Sequence, residues 1–154
     1  MQEYRSFALI AATGSLLLLA GAFGFQALGY APCEMCLWQR WPHAAAIAIG
    51  ALVVTLRLRA LAWLGALATL ITAAIGGFHT GVERGWWPGP SSCTGNPDRL
   101  GGLSGADLLS TDVLDKVVMC DQVSWQFLTL SMPTWNMIFS LVLCAIWVMA
   151  ARRA

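Results

Sequence analysis

A chain of 154 residues with 58% hydrophobic and 11% charged residues departs from soluble domains, in which about a quarter of residues are charged. The length suits one unit, residues 1–154 forming a single integral membrane domain. A net charge of +1 excludes the strongly basic surface that nucleic-acid binding requires, so no nucleic-acid partner is expected.

The first long apolar run, about 7–28, carries no charge and is long enough to cross a hydrocarbon core of roughly 30 Å. A cleaved signal peptide is the alternative, but the run is about twice too long for one, and no convincing small-X-small cleavage site precedes a polar mature start. A second run covers about 41–56, a third 61–78 and a fourth 132–150. Only Arg57-Leu58-Arg59-Ala60 separates the second from the third, which predicts a tight helical hairpin. A polar stretch, about 79–131, separates the third from the fourth. The expected fold is an all-α membrane protein: a bundle of four transmembrane helices with one long loop.

Basic residues set the orientation. Arg5, Arg57, Arg59, Arg152 and Arg153 fall in short segments on one side, with Glu3 as the only acid there. By the positive-inside rule both termini are cytoplasmic and the long loop faces outward. Cys33, Cys36, Cys93 and Cys120 then lie on the outer, oxidising side, where disulfides persist. Cys144 falls within a span and reads as a small buried hydrophobe. Trp38, Trp41, Trp86, Trp87, Trp125 and Trp135 cluster near the same outer surface, as interfacial anchors do, with room for one or two to line a pocket.

Within the loop, Trp86-Trp87-Pro88-Gly89-Pro90 breaks the third helix. Ser104-Gly105-Ala106-Asp107 resembles a capped helix start, and Leu109, Val113 and Val117 follow at helical spacing. A short amphipathic helix on the membrane surface is expected, with Cys93 before it and Cys120 after it.

Chemistry concentrates at Cys33-Glu34-Met35-Cys36. Such a pair can hold a disulfide that opens and closes. A helix start near Cys36 favours its thiolate, and Arg40 one turn on adds a positive charge on the same face. Pro42 implies either that the regular helix begins near Gln39 or that the chain kinks there. Two other readings of these residues are a structural disulfide and a zinc site drawn from Cys33, Cys36, His43 and His79. No second Cys-X-X-Cys completes such a zinc site.

The segment Cys33-Glu34-Met35-Cys36-Leu37-Trp38-Gln39-Arg40-Trp41-Pro42 closely resembles the active segment of the bacterial DsbB family of membrane disulfide-generating oxidoreductases. His79-Thr80-Gly81-Val82-Glu83, Trp87-Pro88-Gly89-Pro90 before Cys93, and Cys120-Asp121 followed by Trp125 extend the resemblance, as do Met132-Pro133 and Trp135-Asn136. It covers nearly the whole chain. The resemblance implies a bacterial inner-membrane enzyme whose cysteine loops are periplasmic. Cys93 and Cys120 would form a loop disulfide that accepts electrons from a periplasmic DsbA-like thioredoxin-fold partner. Electrons would pass to Cys33–Cys36 through a transient Cys33–Cys120 link. Cys36 would then donate to a quinone, ubiquinone or menaquinone, drawn from the membrane lipid pool. Arg40 would polarise the quinone oxygen, and His79 would line the quinone pocket. DsbA is itself a strong oxidant, so only a stronger electron sink reoxidises it. Rival readings are a specialised DsbB paralogue serving a dedicated partner, and a non-catalytic membrane scaffold with structural disulfides.

Overall fold

A computed structural model of the chain describes residues 3–90, 93 and 119–153. Helix α1 (Glu3–Ala27) follows the first apolar run and ends where Gly29, at φ 97°, turns the chain left-handed. Helix α2 (Glu34–Leu56) starts at Cys33, whose sulfur caps it by accepting the Cys36 backbone N–H at 3.2 Å. Arg57, in the left-handed region at φ 58°, ends α2. A single 3₁₀ turn (Arg59–Leu61) then leads straight into α3 (Ala62–Glu83), the tight hairpin expected from the sequence. Two short strands, β1 (Gln126–Phe127) and β2 (Leu130–Ser131), pair antiparallel, with Phe127 opposite Leu130. Leu128 and Thr129 form their turn with φ of 51° and 64°, the geometry that twists with a two-residue hairpin but carries no glycine signal here. Helix α4 (Met132–Arg152) opens with Pro133 in its first turn, where a missing N–H costs nothing.

Among the described residues, three helical segments are long and apolar enough to cross a membrane: Glu3–Ala27, Arg59–Glu83 and Met132–Arg152. The fourth helix, α2, carries Gln39, Arg40 and His43 in its first half and is less apolar for that reason. The helices form a ring in which α1 packs on α2, α2 on α3, α3 on α4 and α4 on α1. Small residues face inward: Ala8, Ala11 and Ala12 meet Ala62, Ala66 and Ala150 around the fully buried Trp147. Larger ones such as Leu16, Leu17, Leu67 and Val142 point outward, as lipid-facing side chains do. At one end an ion pair of 3.1 Å joins Glu3 to Arg153, and the Tyr4 hydroxyl donates to the Arg57 carbonyl at 3.2 Å. The cysteine-bearing end is opposite.

Element boundaries differ from the expected ones in two informative places. Helix α2 begins at Glu34, ahead of the apolar run, and continues through Pro42. Its polar first turns are shielded by packing, and the proline removes one backbone hydrogen bond without ending the helix. Helix α3 continues to Glu83, so His79 and Glu83 project from a helix instead of opening the loop. Backbone hydrogen bonding outlasts the apolar run. The helix expected from Ser104 lies outside the described residues.

Candidate functional site: a sulfur cluster above an apolar cavity

Four sulfurs gather where α2, α3 and the loop meet. Cys33 Sγ lies 2.7 Å from Cys36 Sγ, the spacing that a turn of helix imposes on a Cys-X-X-Cys pair. Cys93 and Cys120 form a disulfide with their Cα atoms 5.3 Å apart, and the Cys120 N–H donates to the Cys93 carbonyl at 2.8 Å. The sulfurs of Cys33, Cys93 and Cys120 lie within 4.8 Å of one another. Met35 and Val82 close over this cluster, and Cys36 flanks it. Thiol–disulfide exchange needs sulfur to reach sulfur, and this contact supplies the reach.

The pair is electrostatically uneven. Cys33 lies before the first residue of α2, and its thiol is held well above the ordinary thiol range, first by its hydrogen bond to Cys36 and then by burial. Cys36, ahead of the apolar run, is held below that range, first by the same hydrogen bond. Once the pair is reduced, negative charge therefore collects on Cys36.

Behind Cys36 opens a cavity of about 430 Å³, a volume suited to a small organic ligand. Its walls are mainly apolar, with Phe25 of α1, Trp125 and Phe127 of the hairpin region, and Trp135 and Phe139 of α4. These rings form a ladder: Phe25–Trp125 at 5.1 Å, Trp125–Phe127 at 6.2 Å, Phe127–Trp135 at 6.3 Å and Trp135–Phe139 at 5.5 Å between centroids. Cys36 and Arg40, four residues apart on α2, both reach it, as their spacing predicts. Arg40 is anchored on α1: Nη1 donates to Gln26 Oε1 at 2.8 Å, Nη2 to the Ala22 carbonyl at 3.4 Å, and the guanidinium covers Phe23 at 4.6 Å. Its Nε is buried without a partner among the described residues.

His79 sits between the sulfurs and the cavity. Gln39 Nε2 donates to its Nδ1 at 3.1 Å, which leaves Nε2 carrying the hydrogen and directed at Cys33 Sγ, 3.6 Å away. The Cys120 backbone also lies within hydrogen-bonding reach of the ring. Of the four donors considered for zinc, Cys33, Cys36 and His79 meet within 4.8 Å, while His43 is engaged with Asn136 at 2.9 Å. Glu83, another cavity-lining residue, has Oε2 buried without a partner among the described residues.

A buried polar network inside the ring was not anticipated. Gln39 bonds His79, the Met35 carbonyl at 3.2 Å and, through Oε1, Asn136 Nδ2 at 2.7 Å. Asn136 Nδ2 also donates to Thr72 Oγ1 at 3.1 Å, and its Oδ1 meets His43. One signal for it exists in the sequence, namely polar residues inside apolar spans, which are costly unless paired.

A family model for "Disulfide bond formation protein DsbB" matches residues 4–150. Disulfide bond formation protein B of Aromatoleum aromaticum is 31% identical over 142 residues, covering 81% of each chain. Its namesake in Xanthomonas oryzae pv. oryzae is 33% identical over 141 residues, covering 87% of this chain and 81% of the relative. No solved structure matches. The sulfur cluster, the apolar helices and these matches agree: this membrane protein belongs to the DsbB family of disulfide bond formation proteins.

Proposed function

We propose that the chain is a quinone-dependent thiol oxidoreductase that reoxidises a DsbA-like periplasmic dithiol through two disulfides. The observation that carries this reading is the mutual approach of the Cys33, Cys93 and Cys120 sulfurs within 4.8 Å. In the proposed sequence, a thiolate of the reduced partner attacks Cys93, a mixed disulfide forms and Cys120 leaves as a thiolate. The partner's second thiolate then attacks its own bonded sulfur. The partner departs as a disulfide and leaves both loop cysteines reduced. Cys120 attacks Cys33, breaking Cys33–Cys36 and expelling Cys36 as a thiolate. Cys93 next attacks Cys120, which restores the loop disulfide and frees Cys33. Two electrons now reside on Cys33 and Cys36.

A quinone in the cavity would supply the final sink: Cys33 and Cys36 close to a disulfide, their two electrons pass to the ring, and the two protons given up by the partner's dithiol complete the quinol. The cavity fits such a ring on three counts: its size, its aromatic walls and the lining Arg40 guanidinium, whose terminal nitrogens each keep a second N–H beyond the one donated to α1. His79 offers its Nε2 hydrogen to Cys33 when that sulfur carries charge. Catalytic roles thus fall to Cys33, Cys36, Cys93 and Cys120, and the quinone contacts to Cys36, Arg40 and His79.

In this reading α2 is the fourth span through its apolar part, about 41–56, and the chain is one inner-membrane domain with both termini cytoplasmic. Grouping of Glu3, Arg57 and Arg153 at the end opposite the sulfurs supports that orientation. To test the function, purified protein is mixed anaerobically with a reduced DsbA-type dithiol protein and a short-chain quinone, and loss of quinone absorbance is followed. Stoichiometric quinone loss with disulfide formation in the partner is expected, and Cys36→Ser should abolish it. A wild-type chain that oxidises the partner without consuming quinone would overturn the reading.

A further inference from the structure

Glu83 stands between two cavities of different character. It lines the apolar cavity together with Cys36 and His79. It also lines a second cavity of about 490 Å³, walled by Arg84, Val123, Gln126, Thr129 and Ser131. No other described residue belongs to both walls. Arg84, Val123, Gln126 and Thr129 are exposed, so water reaches the outer cavity. Glu83 itself is half-buried and lies beyond the apolar run, which ends at Phe78. Its carboxyl is held unevenly. The Ser131 hydroxyl lies within hydrogen-bonding reach of it, whereas Oε2 is sealed with no partner among the described residues. Charge on a sealed, unpartnered oxygen is costly, and a proton on the carboxyl removes that cost. Two neighbours act on it in opposite senses. An ionised Glu83 and a Cys36 thiolate repel each other, while the Arg84 guanidinium steadies a carboxylate.

We propose that Glu83 delivers protons from the outer, water-accessible cavity to the apolar one, in step with the departure of electrons from Cys36. Sulfur supplies the electrons, but the two protons that complete the quinol have to enter an apolar site. While Cys36 is a thiolate, repulsion keeps the Glu83 carboxyl neutral and its proton in place. As Cys33 and Cys36 close to a disulfide, two electrons leave and that repulsion disappears. The Glu83 O–H bond then breaks, its proton passes to an oxygen in the apolar cavity, and Arg84 steadies the carboxylate left behind. Water in the outer cavity returns a proton, and a second round supplies the second one. The two protons taken in equal the two that the partner's dithiol gives up outside. Oε2, sealed at rest, stores the proton; rotation about the Cγ–Cδ bond exchanges the two oxygens and brings it to the wall. This inference rests on the reading of the cavity as a quinone site.

Single-turnover kinetics with chemical rescue test it. Fully reduced wild-type protein and Glu83→Gln are mixed anaerobically in micelles with a short-chain benzoquinone, and quinol formation is followed with and without formate, a small proton carrier. The variant keeps the size of the side chain but holds no transferable proton. Its rate should fall about 100-fold, the low end of what a placed proton donor contributes. Formate should restore the rate in proportion to its concentration, a response that a structural role would not produce. An unchanged rate in the variant, or a slowed rate that formate leaves alone, would overturn the inference while leaving the quinone site intact. A wild type that forms no quinol would remove the quinone site itself, and the inference with it. Infrared spectra of reduced wild-type protein carrying isotope-labelled glutamate need neither quinone nor a variant. At about pH 6, where exposed carboxylates are ionised, the C=O band of a neutral glutamate carboxyl is expected. Glu3 is ion-paired and Glu34 opens α2, where a carboxylate is favoured, so that band reports Glu83. Carboxylate bands alone would refute the stored proton.

Discussion

Gln39→Leu removes the hub of the interior network with little change in side-chain volume. Gln39 ties α2 to α3 through His79 and to α4 through Asn136, at 3.1 and 2.7 Å. Interhelical hydrogen bonds within membranes average about 0.6 kcal/mol and reach about 1.7. Losing two should therefore cost about 1–3 kcal/mol. Asn136 keeps Thr72 as a partner, which holds the loss toward the lower figure. Reversible unfolding in mixed micelles reads the change. A cycle with His79→Phe sharpens it, because the Gln39–His79 bond disappears only once. The double variant should be less destabilised than the sum of the single variants by about 0.5–1.5 kcal/mol. Strict additivity, or a Gln39→Leu protein as stable as the parent, would refute the reasoning.

Arg40→Met keeps the apolar stem but removes every donor, so short-chain quinone affinity should fall about 10- to 100-fold by fluorescence titration; an unchanged Kd would contradict the role given to the guanidinium. Gly65→Ala should destabilise the bundle by about 1–3 kcal/mol, since a Cβ there would stand 2.5–2.7 Å from three Trp147 ring atoms. Its tryptophan emission should shift as Trp147 is displaced, and wild-type stability would show that the ring can yield. In the reduced chain with Cys93 and Cys120 replaced by serine, alkylation followed by peptide mass analysis should show Cys36 reacting at lower pH than Cys33. A thiol whose pKa is raised stays protonated as pH climbs through the ordinary thiol range, so labelling of Cys33 should turn on only above that range. Equal pH profiles for the two cysteines would contradict the uneven pair.

Three apolar spans and the pairing of Cys33 with Cys36 are legible because each is written locally. A bilayer sets the length of an apolar run, and a Cys-X-X-Cys pair fits within one helical turn. The shared face of Cys36 and Arg40 on the cavity is legible by the same means, from their four-residue spacing. What escaped is long-range. Gln39 and Asn136 are 97 residues apart, and neither spacing nor periodicity links them, although the cost of polar groups in a span marks both for attention. His79 was assigned to the start of a loop because the apolar run ends at Phe78, yet hydrogen bonding carries α3 on to Glu83 and aims the ring at Cys33. Trp147 escaped for a different reason. It occupies a socket made by Gly65 and Gly50 on two other helices, and only their packing reveals why a large indole is fully buried there.

In the proposed relay, passage of a disulfide from the loop to Cys33 is the central step, and the link between Cys33 and Cys120 tests it most directly. In a chain carrying Cys36→Ser and Cys93→Ser, mild oxidation followed by alkylation and peptide mass analysis identifies every remaining cysteine. The relay predicts a nearly quantitative Cys33–Cys120 disulfide, as sulfurs within 4.8 Å allow. Recovery of both cysteines separately alkylated, in a protein that still binds quinone, would contradict it.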